Sequence, residues 1–289
     1  MSDAYTQLLD ATIQHLESLK EQGVRYVTVS PENIAALGQA PRRPAQPAPA
    51  PPPSAVIREP TPSARPAPVP AAPKIVTDSS ADPAKVAAFA ELRARALACV
   101  KCPNLASSRK QVVFGVGNID SPLMFVGEAP GADEDEQGEP FVGKAGQLLT
   151  KIIQTMGFSR ESIYIANILK CRPDTPGQSA GNRKPTPQEM ETCIPYLHEQ
   201  IDLIKPKVLV ALGGTAVEGL LGKTIGITKL RGTWQTYRGI PLMPTYHPAY
   251  LLRNQSLSEK RRVWEDMLAV LENLGAPISE KQRNFFLKA

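Results

Sequence analysis

Gly127 to Leu149 reads GEAPGADEDEQGEPFVGKAGQLL, a loop crowded with glycines and carboxylates that joins the apolar run Leu123–Gly127 to an amphipathic helix. The run is short, apolar and bounded by proline and glycine, which predicts a buried strand. Beyond the loop, Leu148, Leu149, Ile152, Ile153 and Met156 recur at helical spacing, and Gly157 closes that helix. Working outward, the same alternation repeats. Asp82-Pro83 is an N-cap with proline at the first helical position, predicting a helix to about Ala98 with Val86, Phe89, Ala90, Leu92 and Leu97 apolar. Gln111–Gly115 and Ile163–Leu169 read as strands, and Thr186-Pro187-Gln188-Glu189 is a capping box that starts a helix to about Ile204. Val208–Leu212 is a fully apolar strand followed by Gly213-Gly214 and a short helix. Trp234–Tyr237 and Ile240–Met243 suggest a hairpin about Arg238-Gly239, and Ser258 is placed to cap a last helix carrying Val263, Trp264, Met267, Leu268 and Leu271. Strands alternating with helices predict an α/β sandwich with a mostly parallel sheet, whose ligand crevice lies beyond the carboxyl ends of the strands.

The 289 residues, 42% hydrophobic, suffice for one large domain with extensions. Thirteen of the 29 prolines fall between Pro41 and Pro73, in a segment too poor in apolar surface to offset its ordering entropy. Residues 40–82 are therefore expected to be a disordered Pro/Ala linker, partly polyproline II. It separates a small N-terminal segment, 1–39, from a domain over 83–275 and a tail over 276–289. In the N-terminal segment Leu8, Leu9, Ile13, Leu16 and Leu19 share a helical face, Tyr26–Ser30 alternates like a strand, and Pro31 opens a second small helix. That segment reads either as an appendage without chemistry or as a docking helix for a protein partner. The balance of 33 Lys and Arg against 28 Asp and Glu leaves +5, which suits a polyanion without identifying one. No apolar run reaches the roughly 18 residues that span a bilayer, and no secretory leader is visible, so a cytoplasmic, monomeric protein without a membrane partner is expected.

Five glycines of the opening loop, Gly127, Gly131, Gly138, Gly143 and Gly146, permit close backbone approach to a ligand. Six carboxylates, Glu128, Asp133, Glu134, Asp135, Glu136 and Glu139, would repel one another unless solvated, so most are expected to form a wet rim. Gly138–Ala145 is a near miss of a phosphate-cradling loop that lacks the Ser or Thr for magnesium. Phe141 reads either as a core aromatic or as a stacking plate for a flat ligand. Cys99, Cys102, Cys171 and Cys193 border loops or helix starts; with no second C-x-x-C, a cubane iron–sulfur cluster, zinc and ordinary thiols all remain open. His247 stands where a strand exits into a loop, a place that favours exposure to a cleft. The apolar Leu251 and Leu252 beside Arg253 suit a DNA wedge or packing on the last helix. Lys170, Arg172, Arg183 and Lys184 against Asp174 make the 170–184 loop a phosphate contact or a solvated loop.

GEAPGADEDEQGEPFVGKAGQLL, YIANILKCRP, GNRKPTP and YHPAYLLR, with the four cysteines at matching places, resemble a family 4 uracil-DNA glycosylase over about Ala84 to Leu274. The resemblance implies a three-layer α/β/α domain with a four-stranded parallel sheet and a [4Fe-4S] cluster on Cys99, Cys102, Cys171 and Cys193. It implies that Phe141 stacks on a flipped uracil, that Asn167 pairs with the uracil edge, that the backbone about Glu128 and Ala129 meets the base, and that Asn182 assists at the pocket mouth. His247 would donate to uracil O2 as the glycosidic bond breaks. Glu134, then Glu128, would position water. Leu251, Leu252, Arg253 and Arg183 would meet the DNA, single- or double-stranded. Ala129 stands where better-known branches carry Asp or Asn, and the 170–184 loop has no histidine for covalent capture. From another class, a non-catalytic iron–sulfur DNA-binding module that tethers a repair partner fits the same basic loop and linker.

Overall fold

The protein is described by a computed structural model over residues 82–173, 183–222 and 225–287. The expected N-terminal helices and strand, residues 40–81 of the linker, and Asn182 lie outside these. The helices are α1 (Pro83–Leu97), α2 (Pro103–Ser108), α3 (Ala132–Gln137), α4 (Lys144–Thr155), α5 (Pro187–Ile204), α6 (Gly214–Leu221), α7 (Ile227–Leu230), α8 (Pro248–Arg253), α9 (Leu257–Asn273) and α10 (Glu280–Arg283). The strands are β1 (Val116–Gly117), β2 (Leu123–Gly127), β3 (Tyr164–Asn167), β4 (Val208–Leu212), β5 (Gln235–Tyr237) and β6 (Ile240–Thr245).

The sheet has six strands in the order β1-β3-β2-β4-β6-β5. Its centre, β3-β2-β4-β6, is parallel, with Phe125 paired to Ile165 on one side and Val210 on the other. The four-stranded expectation therefore describes this parallel centre; β1 and β5 add antiparallel edges. Every residue of β2, β3 and β4 is buried, as parallel strands covered on both faces require. Met124, Val126, Tyr164, Ala166 and Leu209 face one helical layer, packed with Leu92, Leu197, Ile201 and Val217. Leu123, Phe125, Ile163, Ile165 and Val210 face the other, packed with Leu149, Ile153, Trp264, Met267 and Leu271. The period of two in β2 thus feeds two cores, giving three layers.

The caps read from sequence form as hydrogen bonds. Asp82 Oδ1 accepts from Ala84 N at 2.9 Å, and Thr186 Oγ1 accepts from Glu189 N at 3.2 Å while Glu189 returns a bond to Thr186 N at 2.8 Å. Arg238 and Gly239 take φ of 50° and 80°, the paired positive values of a tight hairpin turn.

Three expectations are corrected. Gln111–Gly115 forms no ladder: Val112, Val113 and Phe114 are buried, but Val113 N donates to Lys170 O at 2.8 Å, and pairing begins only at Val116. The acidic loop contains a helix, α3, because Glu134 reaches back to Gly131 N at 3.0 Å and Gly138 closes the turn at φ 75°. Ser256, not Ser258, caps α9, accepting from Glu259 N at 3.3 Å. The tail packs onto the domain: Arg261 donates to Phe285 O at 2.9 Å and the Phe285 ring meets Trp264 edge-on at 5.5 Å. No helix among the described residues is long and apolar enough to cross a membrane.

The exit of β6 is fixed by a buried ion pair. Asp266 of α9 is 1% exposed and accepts from Thr245 Oγ1 at 2.6 Å and from Arg231 Nε at 3.1 Å. Removing one partner of such a pair strands the other in low dielectric. Asp266→Ala is expected to lower unfolding stability by about 3 kcal/mol. Glu272→Ala, which breaks the exposed pair with Arg283, should cost less than about 1 kcal/mol. Urea unfolding of both variants checks the contrast; equal midpoints would refute it.

Candidate active site

The carboxyl ends of β2, β3 and β6 open onto one cavity of about 180 Å³, lined by Ala129, Gly131, Glu134, Phe141, Ala145, Asn167, His247 and Ala249. Five residues named from sequence, Ala129, Glu134, Phe141, Asn167 and His247, thus meet in space although their chain separation exceeds a hundred residues.

Asn167 ends β3, is 2% exposed, and its Oδ1 is buried with no hydrogen-bond partner among the described residues. An orphaned buried amide oxygen forfeits about 1–3 kcal/mol, so this one is suited to accept from a ligand in the cavity it borders. Gly127 makes room for it: a Cβ there would lie 2.3 Å from Asn167 Oδ1 and 2.7 Å from the Phe141 ring.

Phe141 is buried but takes φ of 56°, where a bulky side chain stores on the order of 1–3 kcal/mol of strain. Its carbonyl accepts from Arg160 Nη1 at 3.0 Å and that of Pro140 from Arg160 Nη2 at 2.7 Å. The Phe141 ring stands 5.5 Å from the His247 ring, tilted by 33°, on the same cavity. Phe141 is thus a buried aromatic whose ring also lines the cavity. The stretch Gly138–Ala145, the near miss of a phosphate loop, is filled by this residue and clamped through its carbonyls.

His247 caps α8: its Nδ1 accepts from Ala249 N at 3.1 Å. That bond assigns the proton of the neutral ring to Nε2, which is left as a donor. Burial, helped by the positive charge of Arg253, pushes its pKa down to about 4. The ring is thus a neutral donor at pH 7.

The carboxylates divide between rim and ties: Asp133, Glu136 and Glu139 are exposed, as a wet rim requires, and the others turn inward. Asp135 is 3% exposed and accepts from Lys110 N at 3.0 Å and Gln111 N at 3.4 Å. Glu136 pairs with Lys110. Glu134 lies on the cavity wall, its oxygens accepting from Gly131 N at 3.0 Å and Gly143 N at 3.4 Å. Glu128 is bonded to Thr215 and does not line the cavity; burial raises its carboxyl above the usual range, opposed by Thr215 and Lys184.

A second, smaller cavity is lined by all four cysteines together with Leu105, Arg109, Leu169 and Thr192. Cys102 caps α2 ahead of Pro103, Cys193 faces inward from α5, and Cys171 follows Asn167 by four residues. Arg109 Nη1 donates to Cys171 Sγ at 3.0 Å and Lys170 N to Cys193 Sγ at 3.3 Å, donors that suit thiolates. Burial pushes the Cys193 thiol up to about 11. Among the described residues, no group of three or more His, Cys, Asp or Glu is placed to hold a single metal ion. The four thiols nevertheless border one cavity, a sulfur donor set of the kind that binds metal.

Two placements from sequence are overturned. Leu251 is 4% exposed and packs with Tyr246 and Val263, so Leu252 and Arg253 are the residues of α8 that face outward. Lys170 is 2% exposed: its ammonium donates to Asn167 O at 2.8 Å and Gln200 Oε1 at 2.6 Å, and it makes no solvated phosphate contact. Arg183 forms an ion pair with Glu189 at 2.5 Å. Arg160 was missed, because an arginine in a loop between helix and strand carries no local signal of the carbonyls it will meet.

A family model described as the uracil DNA glycosylase superfamily matches residues 114–268. A type-4 uracil-DNA glycosylase of Thermotoga maritima is 47% identical over 173 residues, spanning 58% of this chain and 85% of that protein. One of Sulfurisphaera tokodaii is 37% identical over 206 residues, spanning 68% of this chain and 89% of that protein. A type-5 uracil-DNA glycosylase of Pyrobaculum aerophilum is 28% identical over 190 residues, spanning 54% of this chain and 80% of that protein.

With the His247 pKa depressed, folding favours the neutral ring. The stability linked to it is complete above the ordinary value near 6.5 and is lost as pH falls through about 4. Nitrogen-15 NMR of the imidazole should show an Nε2–H tautomer at pH 7 and a protonation midpoint near 4. A midpoint near 6.5, or an Nδ1–H tautomer, would contradict the geometry.

Proposed function

We propose, from the premise that the chain belongs to the uracil DNA glycosylase superfamily, that it excises uracil from DNA by hydrolysing the N-glycosidic bond and leaves an abasic site. The observation that carries this reading is the orphaned Asn167 Oδ1 facing a neutral imidazole donor across one cavity floored by an aromatic ring.

A uracil flipped from the stack would lie against Phe141, its N3–H meeting Asn167 Oδ1 and its O4 the Asn167 amide N–H. His247 Nε2–H would donate to O2. As the C1′–N1 bond breaks, its electron pair moves onto the uracil ring and the negative charge gathers at O2, where the bond from His247 strengthens. The sugar becomes an oxocarbenium-like cation, water adds at C1′, and the proton of that water passes to a carboxylate or to solvent. Glu134 is the carboxylate on the cavity wall; each of its oxygens retains a lone pair beyond the backbone bond it accepts, which favours it over Glu128 for holding the water. The same wall would exclude the thymine methyl.

Cys99, Cys102, Cys171 and Cys193 would hold a [4Fe-4S] cluster. Bound there, it would cross-link the start of α2, the segment after β3 and α5; base hydrolysis needs no electron from it. Leu252 and Arg253 on α8, with Arg183, would meet single- or double-stranded DNA, a substrate that favours a cytoplasmic location.

Purified protein should convert a uracil-containing oligonucleotide, not its thymine control, into one cleaved by alkali. Binding without alkali-labile sites would instead support a non-catalytic DNA-binding module. His247→Ala should slow single-turnover excision by about 10²–10³-fold with the fold intact, and near-normal turnover would remove His247 from the chemistry. Because the imidazole stays neutral to about pH 4, the wild-type rate should show no limb near pH 6.5. The cluster is checked by brown colour and equal iron and acid-labile sulfide; bound zinc would refute it.

A further inference from the structure

We infer that Arg160 is a positioning residue for base capture: its guanidinium, bonded to the Pro140 and Phe141 carbonyls, holds Phe141 in the left-handed backbone conformation that stands its ring against the cavity. This rests on the proposed role of Phe141 as the plate for the flipped base.

Phenylalanine does not adopt φ of 56° unaided, so the surroundings must hold it there. Two features do so. Arg160 spans consecutive carbonyls with both arms of one planar fork, and Nη1 also reaches Thr150 Oγ1 at 3.4 Å. Lysine, with a point charge on a flexible stem, cannot serve two carbonyls in that fixed geometry. From the other side, α4 presses its backbone onto the same peptide: a Cβ at Gly146 would lie 1.8 Å from Phe141 O and 2.0 Å from Phe141 C. The peptide is therefore gripped between a helix turn and a guanidinium, while the ring projects forward beside Gly127 and His247. Arg160 does not line the cavity, so any effect on the base must pass through Phe141.

Without Arg160, the Phe141 peptide is free to relax toward negative φ, which swings the ring off its place. Misplacement on that scale lowers rates by up to about 100-fold without touching the reacting groups. A residue that only braced the fold would instead lower the melting temperature and leave excision per folded molecule normal.

The experiment measures single-turnover uracil excision and inhibition by free uracil for Arg160→Met, Arg160→Lys, Phe141→Ala and the double variant Arg160→Met/Phe141→Ala. All are assayed below their melting temperatures, and Arg160→Lys serves if Arg160→Met does not fold. Arg160→Met should lose about 10- to 100-fold in rate and weaken uracil inhibition, with Arg160→Lys between it and wild type. The double variant should match Phe141→Ala, because Arg160 acts only through that ring. Normal excision by folded Arg160→Met, or losses that multiply in the double variant, would overturn the role of Arg160 while leaving the plate intact. Normal excision by Phe141→Ala would overturn the plate itself, and the Arg160 assignment with it.

Discussion

Parallel strands buried on both faces cannot end at random. Each needs a crossover that returns over one face of the sheet, so β2, β3, β4 and β6 run the same way and release their chains along one rim. That constraint delivers Gly127, Asn167, Gly213 and His247 to a common edge from distant stretches of sequence. A Cβ at Gly213 would lie 3.0 Å from the His247 Cβ, and Gly213 N is bonded to Thr245 O at 2.9 Å, so the exit of β4 also braces the exit that carries the imidazole. The cavity is a consequence of the sheet, whose parallel strands end along its rim.

The chemistry available at that rim is set by burial more than by charge. An imidazolium facing the leaving base would attract its developing negative charge more strongly than a neutral ring, but keeping it charged in this site would demand desolvation of the cation. The balance favours the neutral ring, and the bond from Ala249 N then leaves no choice of tautomer. The acidic loop follows the same logic. Asp133, Glu136 and Glu139 stay exposed to solvent, while two of the inward acids are held by backbone N–H groups: Asp135 by residues 110 and 111, Glu134 by Gly131 and Gly143.

Local signals carried much of the fold. Caps at Asp82 and Thr186, the apolar strands β2 and β4, and the turn at Arg238-Gly239 each depend on a few neighbouring residues, and each formed where the pattern placed it. Failures came where distant partners decide. Val112–Phe114 looks like a strand because it is β-branched and apolar, yet its carbonyls and amides are claimed by Lys170 and Gln200 instead of a ladder. Leu251, an apolar residue in a stretch beside Arg253 that suits either a DNA wedge or packing on the last helix, is turned by the geometry of α8 onto Tyr246 and Val263. Within the site, Phe141, Asn167 and His247 were legible from motifs; Arg160 was not, since only the fold creates the pair of carbonyls it binds.

One residue best joins the two cavities. Lys170, whose place in the basic 170–184 stretch suits a phosphate contact or a solvated loop, is buried between them. Its ammonium holds the carbonyl of Asn167, whose side chain faces the larger cavity, while its backbone N–H holds the sulfur of Cys193 and its carbonyl accepts from Val113. Gln200 completes the frame, accepting from Lys170 and donating to Phe114 O and Tyr164 OH. A buried lysine is costly, and replacing it by an apolar side chain would spare that desolvation. What an apolar side chain would not supply is the bridge its ammonium makes between the carbonyl of Asn167 and Gln200 Oε1 of α5. The five residues from Asn167 to Cys171 therefore run from the larger cavity to the smaller, with an amide side chain on one and a thiol on the other, and Lys170 between them bonds toward both, through its ammonium to Asn167 O and through its backbone N–H to Cys193.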